Sequence, residues 1–487
     1  MPVPLQSQWK TYQQNKFVGE NKIPAIEVIE PEQLLVAYNT VATADYSLES
    51  RKGKTALNTT LGAGPIRGLW RFTKSGGTAY LVALHGTTLY AGTWAGGTAA
   101  CTFASIKTGL DANAQLRGVV WKDNLILTNG VQNPFRYDGS ACTDLSGTPP
   151  KSQFITVYAN RMFLVDVANP NQLRWSGLET YDTWDALDVI LVRDNDGDKI
   201  NGLAALNGGL VILKRNSMWT LYGTYYDDMQ LVQLSDSVGC IAPDSIVTMK
   251  DGGTMLSADN LYQFNLSEVV EYPKTHKSLI TPLSSAQKAA VKGCVVPNEK
   301  RGIMMLRSLC LNIEGSTGGI TTWTDINAAS FAVADGAADD GSLLIGDATT
   351  GIIYTLNNEA AGQFTTDFWL PYNDMGVTRE KVWRIFEPEI NVLSGSNTDG
   401  SATLTLKFDV DRGQKRDWYQ STESVGDVLQ FSTEDDWDDK VWGPTNTSQR
   451  WPMHNARGRR ISLKLSTNSR IKFEGYKVMF REAGKLL

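Results

Sequence analysis

The chain has 487 residues, of which 42% are hydrophobic and 20% charged, and its formal net charge is −6 at neutral pH. This composition is typical of folded globular proteins and excludes an intrinsically disordered chain. The length predicts about two to four domains. The acidic balance argues against tight DNA binding, because phosphates are neutralised by clustered Lys and Arg.

Neither export nor membrane insertion is expected. The first residues, Met1–Ser7, lack the basic patch and apolar stretch of a secretory signal, and no apolar run reaches the roughly 18 residues of a membrane helix. The five cysteines are an odd number and form no CxxC pair, so we expect buried thiols, not disulfides or a zinc knuckle. They are Cys101, Cys142, Cys240, Cys294 and Cys310.

Residues 1–64 are polar and mixed, and they predict an irregular lead-in that lends a strand to a propeller or platform. From about residue 65 to residue 360, one phrase recurs: an apolar strand, a Gly/Asn/Asp turn, a second apolar strand and an aromatic third strand. The first instance reads IRGLWRF, AYLVAL, TTLYAG and the second LRGVVWK, NLILTN, NPFRYDG, and both begin with an Arg-Gly pair.

Equivalent first-strand positions recur about every 44 residues, which is the period of a four-stranded propeller blade. These positions are Leu69, Val119, Ile155, Leu203, Ile246, Val295 and Phe331. We therefore predict an all-β protein with a β-propeller of about six or seven blades over residues 65–360. An irregular β-sandwich stays an alternative, because the intervals vary between about 36 and about 50 residues.

Residues 365–487 contain longer predicted strands separated by Ser, Asn, Gly and Asp turns, and they predict a C-terminal antiparallel β-sandwich. A polar stretch from Glu434 to His454 carries Trp437, Trp442 and Trp451. Tryptophans in so polar a segment indicate a contact surface or a loop folded over the edge of the sandwich.

The segment from Asp194 to Asp198 is the one that most resembles a metal site, because Asp194, Asp196 and Asp198 alternate as calcium ligands do. However, Lys199 stands where an EF-hand needs glycine, and Ala205 where it needs a bidentate Glu. Asp, Asn and Gly also favour turns, and a turn is the interpretation we prefer.

We predict a protein that is not an enzyme, with no catalytic, cofactor-binding or metal-binding residues. The three histidines, His85, His276 and His454, are far apart, and no HExxH, GxSxG, P-loop or dinucleotide motif occurs. A propeller glycosidase needs two carboxylates flanking one bond. Carboxylates are plentiful, but no Ser-x-Asp-x-Gly-x-x-Trp box recurs.

Two further sets of residues have competing interpretations. Alternation in the basic C-terminal strands predicts a solvated sheet face, with contact to a neighbouring subunit or to phosphates as the alternative. The basic set is Arg457, Arg459, Arg460, Lys464, Arg470 and Lys472. Five tryptophans at blade-like positions predict packing between blades, with sugar-binding platforms as the alternative. They are Trp70, Trp121, Trp175, Trp219 and Trp323.

The lead-in, the meander repeats and the ending NARGRRISLKLSTNSRIKFEGYKVMFRE resemble the tail-hub proteins of short-tailed bacteriophages, also called packaged-DNA stabilisation or nozzle proteins. The phrases NRMFLVDVANPNQLRWSG and NGGLVILKRNSMWTLYG are similar to the propeller of that family. The resemblance implies a hexameric ring below the portal and adaptor that retains packaged double-stranded DNA and passes it at ejection.

The resemblance also implies the partners and the location. The partners would be further copies of the chain, the portal and adaptor, other tail proteins such as a needle, spike or fibre, and DNA that passes without sequence-specific binding. The location would be the virion tail, after synthesis in the host cytoplasm. A carbohydrate-binding propeller of a tail fibre or adhesin is the alternative, and a propeller glycosidase comes after it.

Overall fold

The computed structural model describes residues 9–23, 29–225, 228–249, 252–315, 317–334, 341–358, 364–377, 379–393, 402–410, 419–425, 446–448, 451–452 and 457–483. The chain forms two compact units. The propeller unit contains Lys54–Cys310 and Ile326–Asn357, and the terminal unit contains Met1–Gly53, Leu311–Asp325 and Asn358–Leu487. Among the described residues, no helix has the length and apolar character needed to cross a bilayer.

The propeller unit begins with five consecutive four-stranded antiparallel meanders, which we call blades 1 to 5. Blade 1 contains Ile66–Thr73, Ala79–His85, Thr88–Thr93 and Ala104–Lys107. Blade 2 contains Arg117–Trp121, Asn124–Thr128, Phe135–Tyr137 and Cys142–Asp144. Blade 3 contains Ser152–Tyr158, Arg161–Asp166, Gln172–Ser176 and Trp184–Leu191. Blade 4 contains Ile200–Leu206, Gly209–Lys214, Met218–Tyr222 and Gln230–Ser235. Blade 5 contains Val247–Met249, Gly252–Leu256, Leu261–Phe264 and Val269–Glu271.

Blades 6 and 7 complete a ring of seven first strands among the described residues. Blade 6 begins with Lys292–Val296 and Arg301–Leu306, followed by Leu309–Glu314, which ends in the terminal unit. Blade 7 contains Ala328–Val333, Leu343–Asp347 and Ile353–Asn358, and its outermost strand is Gly53–Ala56, which lies before blade 1 in the chain. The ring is closed where Ser330 Oγ donates a hydrogen bond to the Ile66 carbonyl, 2.6 Å away.

Buried apolar side chains fill the spaces between successive blades. Blades 1 and 2 share a core that includes Phe72 and Phe135, and blades 3 and 4 share one that includes Phe163 and Trp175. Each sheet has two faces to bury, and its neighbours in the ring cover both of them. The few helices of this unit are one or two turns long. They are Pro243–Ser245, Lys274–His276, Lys277–Ile280, Ser285–Ala289 and Pro297–Glu299.

The prediction of an all-β protein with a β-propeller is confirmed, and seven first strands are present within the described residues. Six of the seven predicted equivalent positions lie in these first strands, and Ile246 directly precedes the strand Val247–Met249. The variable intervals arise because loops between strands differ in length, while the order of pairing within a blade stays the same.

The terminal unit contains two sheets built from segments far apart in sequence. One sheet has long central strands, Lys381–Val392 and Ile471–Glu482, and its other strands are Lys10–Gln14, Thr40–Ala42, Leu48–Ser50, Asn446–Ser448, Trp451–Pro452 and Arg457–Gly458. The other sheet contains Ile320–Trp323, Val36–Tyr38, Thr366–Trp369, Ile461–Thr467, Ala402–Val410 and Tyr419–Val425. A short parallel pair joins Gly19–Glu20 to Gln33–Leu34.

Both sheets contribute side chains to one core, in which Phe473 stacks 5.0 Å from Phe17 and lies 5.4 Å from Phe368. The unit differs from the predicted division, which separated residues 1–64 from residues 365–487. Residues 10–14 instead pair with the last strand, Lys10 opposite Phe480, a long-range pairing that leaves no local sequence signal. The predicted C-terminal sandwich stays a prediction, and Trp437, Trp442 and His454 lie outside the described residues.

Candidate functional site

An axial cavity of about 520 Å³ lies inside the propeller unit, and the first strand of every blade or the segment leading into it contributes to its lining. In blade 4, half-buried Asn201, Leu203 and Ala205 alternate with buried residues of the same strand. Successive side chains of a strand point to opposite sides. The buried residues therefore pack between blades, and the half-buried ones face the axis. The cavity is therefore an expected product of seven first strands arranged around one axis.

Polar residues followed by glycine begin four of the first strands. These pairs are Arg67-Gly68, Arg117-Gly118, Asn201-Gly202 and Lys292-Gly293. A Cβ atom at Gly68 would lie 2.3 Å from the Trp70 ring, and one at Gly202 would lie 2.2 Å from Ile246 Cδ1. Glycine is required here because neighbouring side chains pack directly against the backbone. The polar partner of each pair consequently occupies the same end of the first strand.

An ion triad of Arg117, Asp244 and Lys292 stands at this end of the cavity and joins blades 2, 5 and 6. Arg117 Nε donates to Asp244 Oδ1 at 2.7 Å, and Lys292 Nζ donates to Asp244 Oδ2. Burial alone would raise the pKa of Asp244, but the two cations hold the pKa of this carboxyl below its usual value. Arg117 also donates to the Gln153 carbonyl at 3.1 Å, and its guanidinium lies 4.7 Å from the centre of the Phe154 ring.

Arg67, at the corresponding position of blade 1, has a structural role. Its guanidinium donates to the carbonyl oxygens of Gly86 at 2.7 Å and Asp111 at 3.0 Å, and also to that of Ala112. These bonds tie the loop that leads from blade 1 to blade 2 onto the first strand. The first two repeats of the sequence share an Arg-Gly pair. Extending that comparison to Asn201-Gly202 and Lys292-Gly293 would have located the triad's end of the cavity.

The carboxylates of the calcium-like segment, Asp194–Asp198, have separate protein partners. Asp196 accepts two hydrogen bonds from Lys214 Nζ, at 2.9 and 2.8 Å, and Lys214 is fully buried. Asp198 accepts from the backbone N–H groups of Arg215 and Asn216 at 3.0 and 3.1 Å. Within the described residues, no group of three His, Cys, Asp or Glu side chains could hold a metal ion. The segment forms a turn in which Asp196 and Asp198 bind groups of blade 4.

The two histidines that the structure describes do not come together. His85 ends the second strand of blade 1, where it lies against Gly62, and His276 is buried with Nδ1 3.1 Å from Thr275 Oγ1. His454 lies outside the described residues. The thiols of Cys101 and Cys240 are buried, and burial raises the pKa of each, to about 11 for Cys101 and about 12 for Cys240. Such thiols are poor nucleophiles at neutral pH.

The basic C-terminal residues fall into two groups. Arg457, Arg459 and Arg460 are exposed, whereas Arg470 is buried. Lys464 Nζ lies 4.6 Å from the centre of the Trp369 ring and 3.7 Å from Asp367 Oδ1. Lys472 pairs with Asp45 Oδ2 at 2.8 Å. Leu463 and Leu465 are buried beside half-buried Lys464, as the predicted alternation requires, although Ser462 is buried too.

The five tryptophans lie mainly within packed regions. Trp175 is buried between blades 3 and 4, where Trp219 also packs, and Trp121 contacts Tyr181 edge to face at 6.1 Å. Trp323 is buried and donates to the Thr40 carbonyl at 2.7 Å. Only Trp70, half-buried over Gly68, lines the axial cavity. Repeated sugar platforms would need exposed ring faces, and these rings are used in packing.

No family model matches the sequence, and no curated protein matches it. Solved structures with a similar fold include the Pan2 WD40 domain of Neurospora crassa, with a TM-score of 0.41 and 10% identity over 63% of this chain and 97% of that one. The extracellular domain of a one-component system from B. thetaiotaomicron has a TM-score of 0.44 and 8% identity over 76% of this chain and 47% of that one. The AfRom2 CNH domain has a TM-score of 0.42 and 9% identity over 63% of this chain and 99% of that one.

Proposed function

We propose that the chain is a structural, non-enzymatic subunit of the tail of a short-tailed bacteriophage, and that it forms the hub or nozzle ring below the portal and adaptor. The observation that carries the proposal is the coincidence of a propeller with the family-like phrases, which occupy blades 3 and 4. In this role the protein retains packaged DNA and releases it by a mechanical change, without making or breaking covalent bonds.

In the proposed ring, the DNA channel runs between subunits and not through the axis of one propeller. A cavity of about 520 Å³ has the size of a small-molecule site and cannot hold a duplex. The ion triad also joins three blades at one end of that cavity. The net charge of −6 favours a channel wall that repels phosphates, so that DNA slides past without being gripped.

The outer edges of blades 3, 4 and 5 offer contact surfaces for such a ring. Leu187 is 81% exposed on the outermost strand of blade 3, and Val232 and Val270 are about half exposed on those of blades 4 and 5. Outermost strands also carry unpaired backbone groups that favour association. A cyclic ring is built from head-to-tail contacts, so these edges would meet a different face of the next subunit.

The experiment is to measure the mass of the purified chain by light scattering and its shape by electron-microscope class averages. We expect a six-fold ring, and we expect the double variant Leu187→Asp, Val232→Asp to prevent ring assembly while the far-ultraviolet circular dichroism stays unchanged. The matched control is Val131→Asp, which introduces a charge at a similarly exposed apolar residue of blade 2. A compact monomer that persists with portal and adaptor present would contradict the proposal and favour the sugar-binding alternative.

A further inference from the structure

The end of the axial cavity that carries the ion triad has an excess of positive charge in an otherwise acidic protein. Arg117 and Lys292 share one carboxylate, Asp244, and the triad therefore carries a net charge of about +1. Arg67 adds a further positive charge to the lining. Within the described lining, Asp244 is the one carboxylate, so an anion entering the cavity meets more cations than carboxylates.

Both triad cations retain hydrogen-bond donors. Arg117 uses Nε on Asp244 and Nη1 on the Gln153 carbonyl, and among the described residues its Nη2 has no protein acceptor. Lys292 Nζ makes one hydrogen bond, to Asp244, out of the three that an ammonium group can donate. The side chains are 20% and 21% exposed, and both line the cavity. Their remaining donors are therefore within reach of a ligand there.

Away from the triad, the cavity is lined by both polar and apolar side chains, and the polar ones include Gln115, Thr156 and Thr248. Half-buried Trp70, Leu203 and Phe331 line it together with Val119 and Ala205. A volume of about 520 Å³ falls within the range of about 300 to 1,000 Å³ that small-molecule pockets occupy. The cationic end and this group of apolar side chains in one cavity match a ligand that has a carboxylate at one end and an apolar group beside it.

We propose that the axial cavity binds an organic acid, whose carboxylate accepts hydrogen bonds from Arg117 and Lys292 while its apolar body packs against Trp70, Leu203 and Phe331. Asp244 competes with the ligand for the same two cations and so limits its affinity. The acid could be a free small molecule or the C-terminal residue of a polypeptide, since both present a carboxylate next to an apolar group. This inference does not depend on the ring proposed above.

The test is isothermal titration calorimetry of the full-length protein with 3-phenylpropionate and with its neutral analogue 3-phenylpropionamide. We expect the acid to bind at least about tenfold more tightly than the amide, because a charge-assisted pair is lost. Lys292→Gln should weaken binding of the acid about tenfold, and Asp244→Asn should strengthen it by a similar factor. The matched control is Lys107→Gln, which removes a lysine paired with Asp144 outside the cavity and should change nothing.

A second variant keeps the test valid if changes in the triad unfold the protein. Ala205→Met fills the cavity without removing a charge and should abolish binding while the near-ultraviolet circular dichroism stays unchanged. The peptide Gly-Gly-Gly-Phe, compared with its C-terminal amide, distinguishes the two sources of the acid: tighter binding than 3-phenylpropionate assigns a chain terminus, and weaker binding assigns a free acid. Equal binding of acid and amide, no binding of either, or an unchanged Ala205→Met variant would overturn the proposal.

Discussion

The two units of this protein are assembled on different principles. Each of blades 1 to 5 pairs strands that follow one another along the chain. In blade 3, for example, Phe163 pairs with Trp175 of the next strand. In the terminal unit, by contrast, Lys10 pairs with Phe480, and Asp45 with Lys472. We infer that the propeller unit is built mainly from local hairpins, whereas the terminal unit folds only when segments distant in sequence pair. Local pairing also costs less loop-closure entropy.

The strongest test of this comparison is to truncate one buried phenylalanine in each unit. Phe473→Ala and Phe163→Ala should each cost about 3 to 5 kcal/mol, because both side chains are fully buried against other aromatic rings. Hydrogen exchange should then differ. In Phe473→Ala, the strands Lys10–Gln14 and Ile471–Glu482 should lose protection together, whereas in Phe163→Ala the loss should be greatest in blades 3 and 4. Equal loss across all blades would contradict the local character of the propeller.

The same contrast explains what the sequence could predict. Strands, turns and the recurring first-strand positions are local patterns, so the propeller and its approximate blade number were readable from IRGLWRF, LRGVVWK and their later equivalents. The outermost strand of blade 7, Gly53–Ala56, lies some three hundred residues before its partner Ile353–Asn358. The lead-in was expected to lend a strand to a propeller or platform, and Gly53–Ala56 is such a strand, but neither segment indicates that these two pair. The long-range pairs of the terminal unit are hidden from the sequence for the same reason.

The candidate site was only partly readable. The Arg-Gly pair of the first two repeats pointed to the end of the first strands, but Asp244 comes from a short helical turn before blade 5. Ring closure, not sequence proximity, brings this carboxylate between Arg117 and Lys292. The calcium-like segment was predicted to be a turn, but the sequence did not indicate that Asp196 and Asp198 bind Lys214, Arg215 and Asn216 of the next hairpin.

A junction between two blades gives the next largest effect. Lys214 Nζ donates to the carbonyls of Val192 and Arg193, at 3.2 and 3.1 Å, and to Asp196. Lys214→Met should therefore destabilise the protein by about 3 kcal/mol, because one carboxylate and two carbonyls lose their partner. Lys107→Met, which removes a partly exposed pair with Asp144, should cost less than about 1 kcal/mol. Chemical denaturation measures the free energy of unfolding of both variants. Equal losses would show that Lys214 does not hold blades 3 and 4 together.

The closure of blade 7 is where the propeller unit itself depends on distant segments. Asn58 Nδ2 donates to the Gly351 carbonyl at 3.2 Å, and Asn58 Oδ1 accepts from the Ile353 N–H at 2.8 Å. Asn58→Ala should cost about 2 kcal/mol, and Asn58→Asp, which keeps the acceptor, about half as much. Hydrogen exchange should show the loss in Ile353–Asn358 before any other blade. An unaffected blade 7 would mean that the strand Gly53–Ala56 holds this blade together without help from Asn58.

The smallest effect compares two carboxylates, Asp138, whose partners are close in sequence, and Asp45, whose partner Lys472 is distant. Backbone N–H groups of Ala141 and Ser140 lower the pKa of Asp138 to about 2, within one turn of blade 2. Burial raises the pKa of Asp45, but hydrogen bonds from Lys472, Thr43 and Ser47 together lower it by more. The net shift of this pKa is therefore also downward.

Both acids have folded pKa values below the unfolded value of about 4, so their stabilisation is present above pH 4 and is lost as the pH falls through the folded values. Carboxyl NMR titration should give low pKa values for both. High salt should raise the pKa of Asp45, because Lys472 is a screened point charge, and should change that of Asp138 less, because its donors are fixed backbone dipoles. If salt moves both pKa values equally, the stabilisation of Asp45 does not come from its distant lysine, and the contrast between the units fails at this pair.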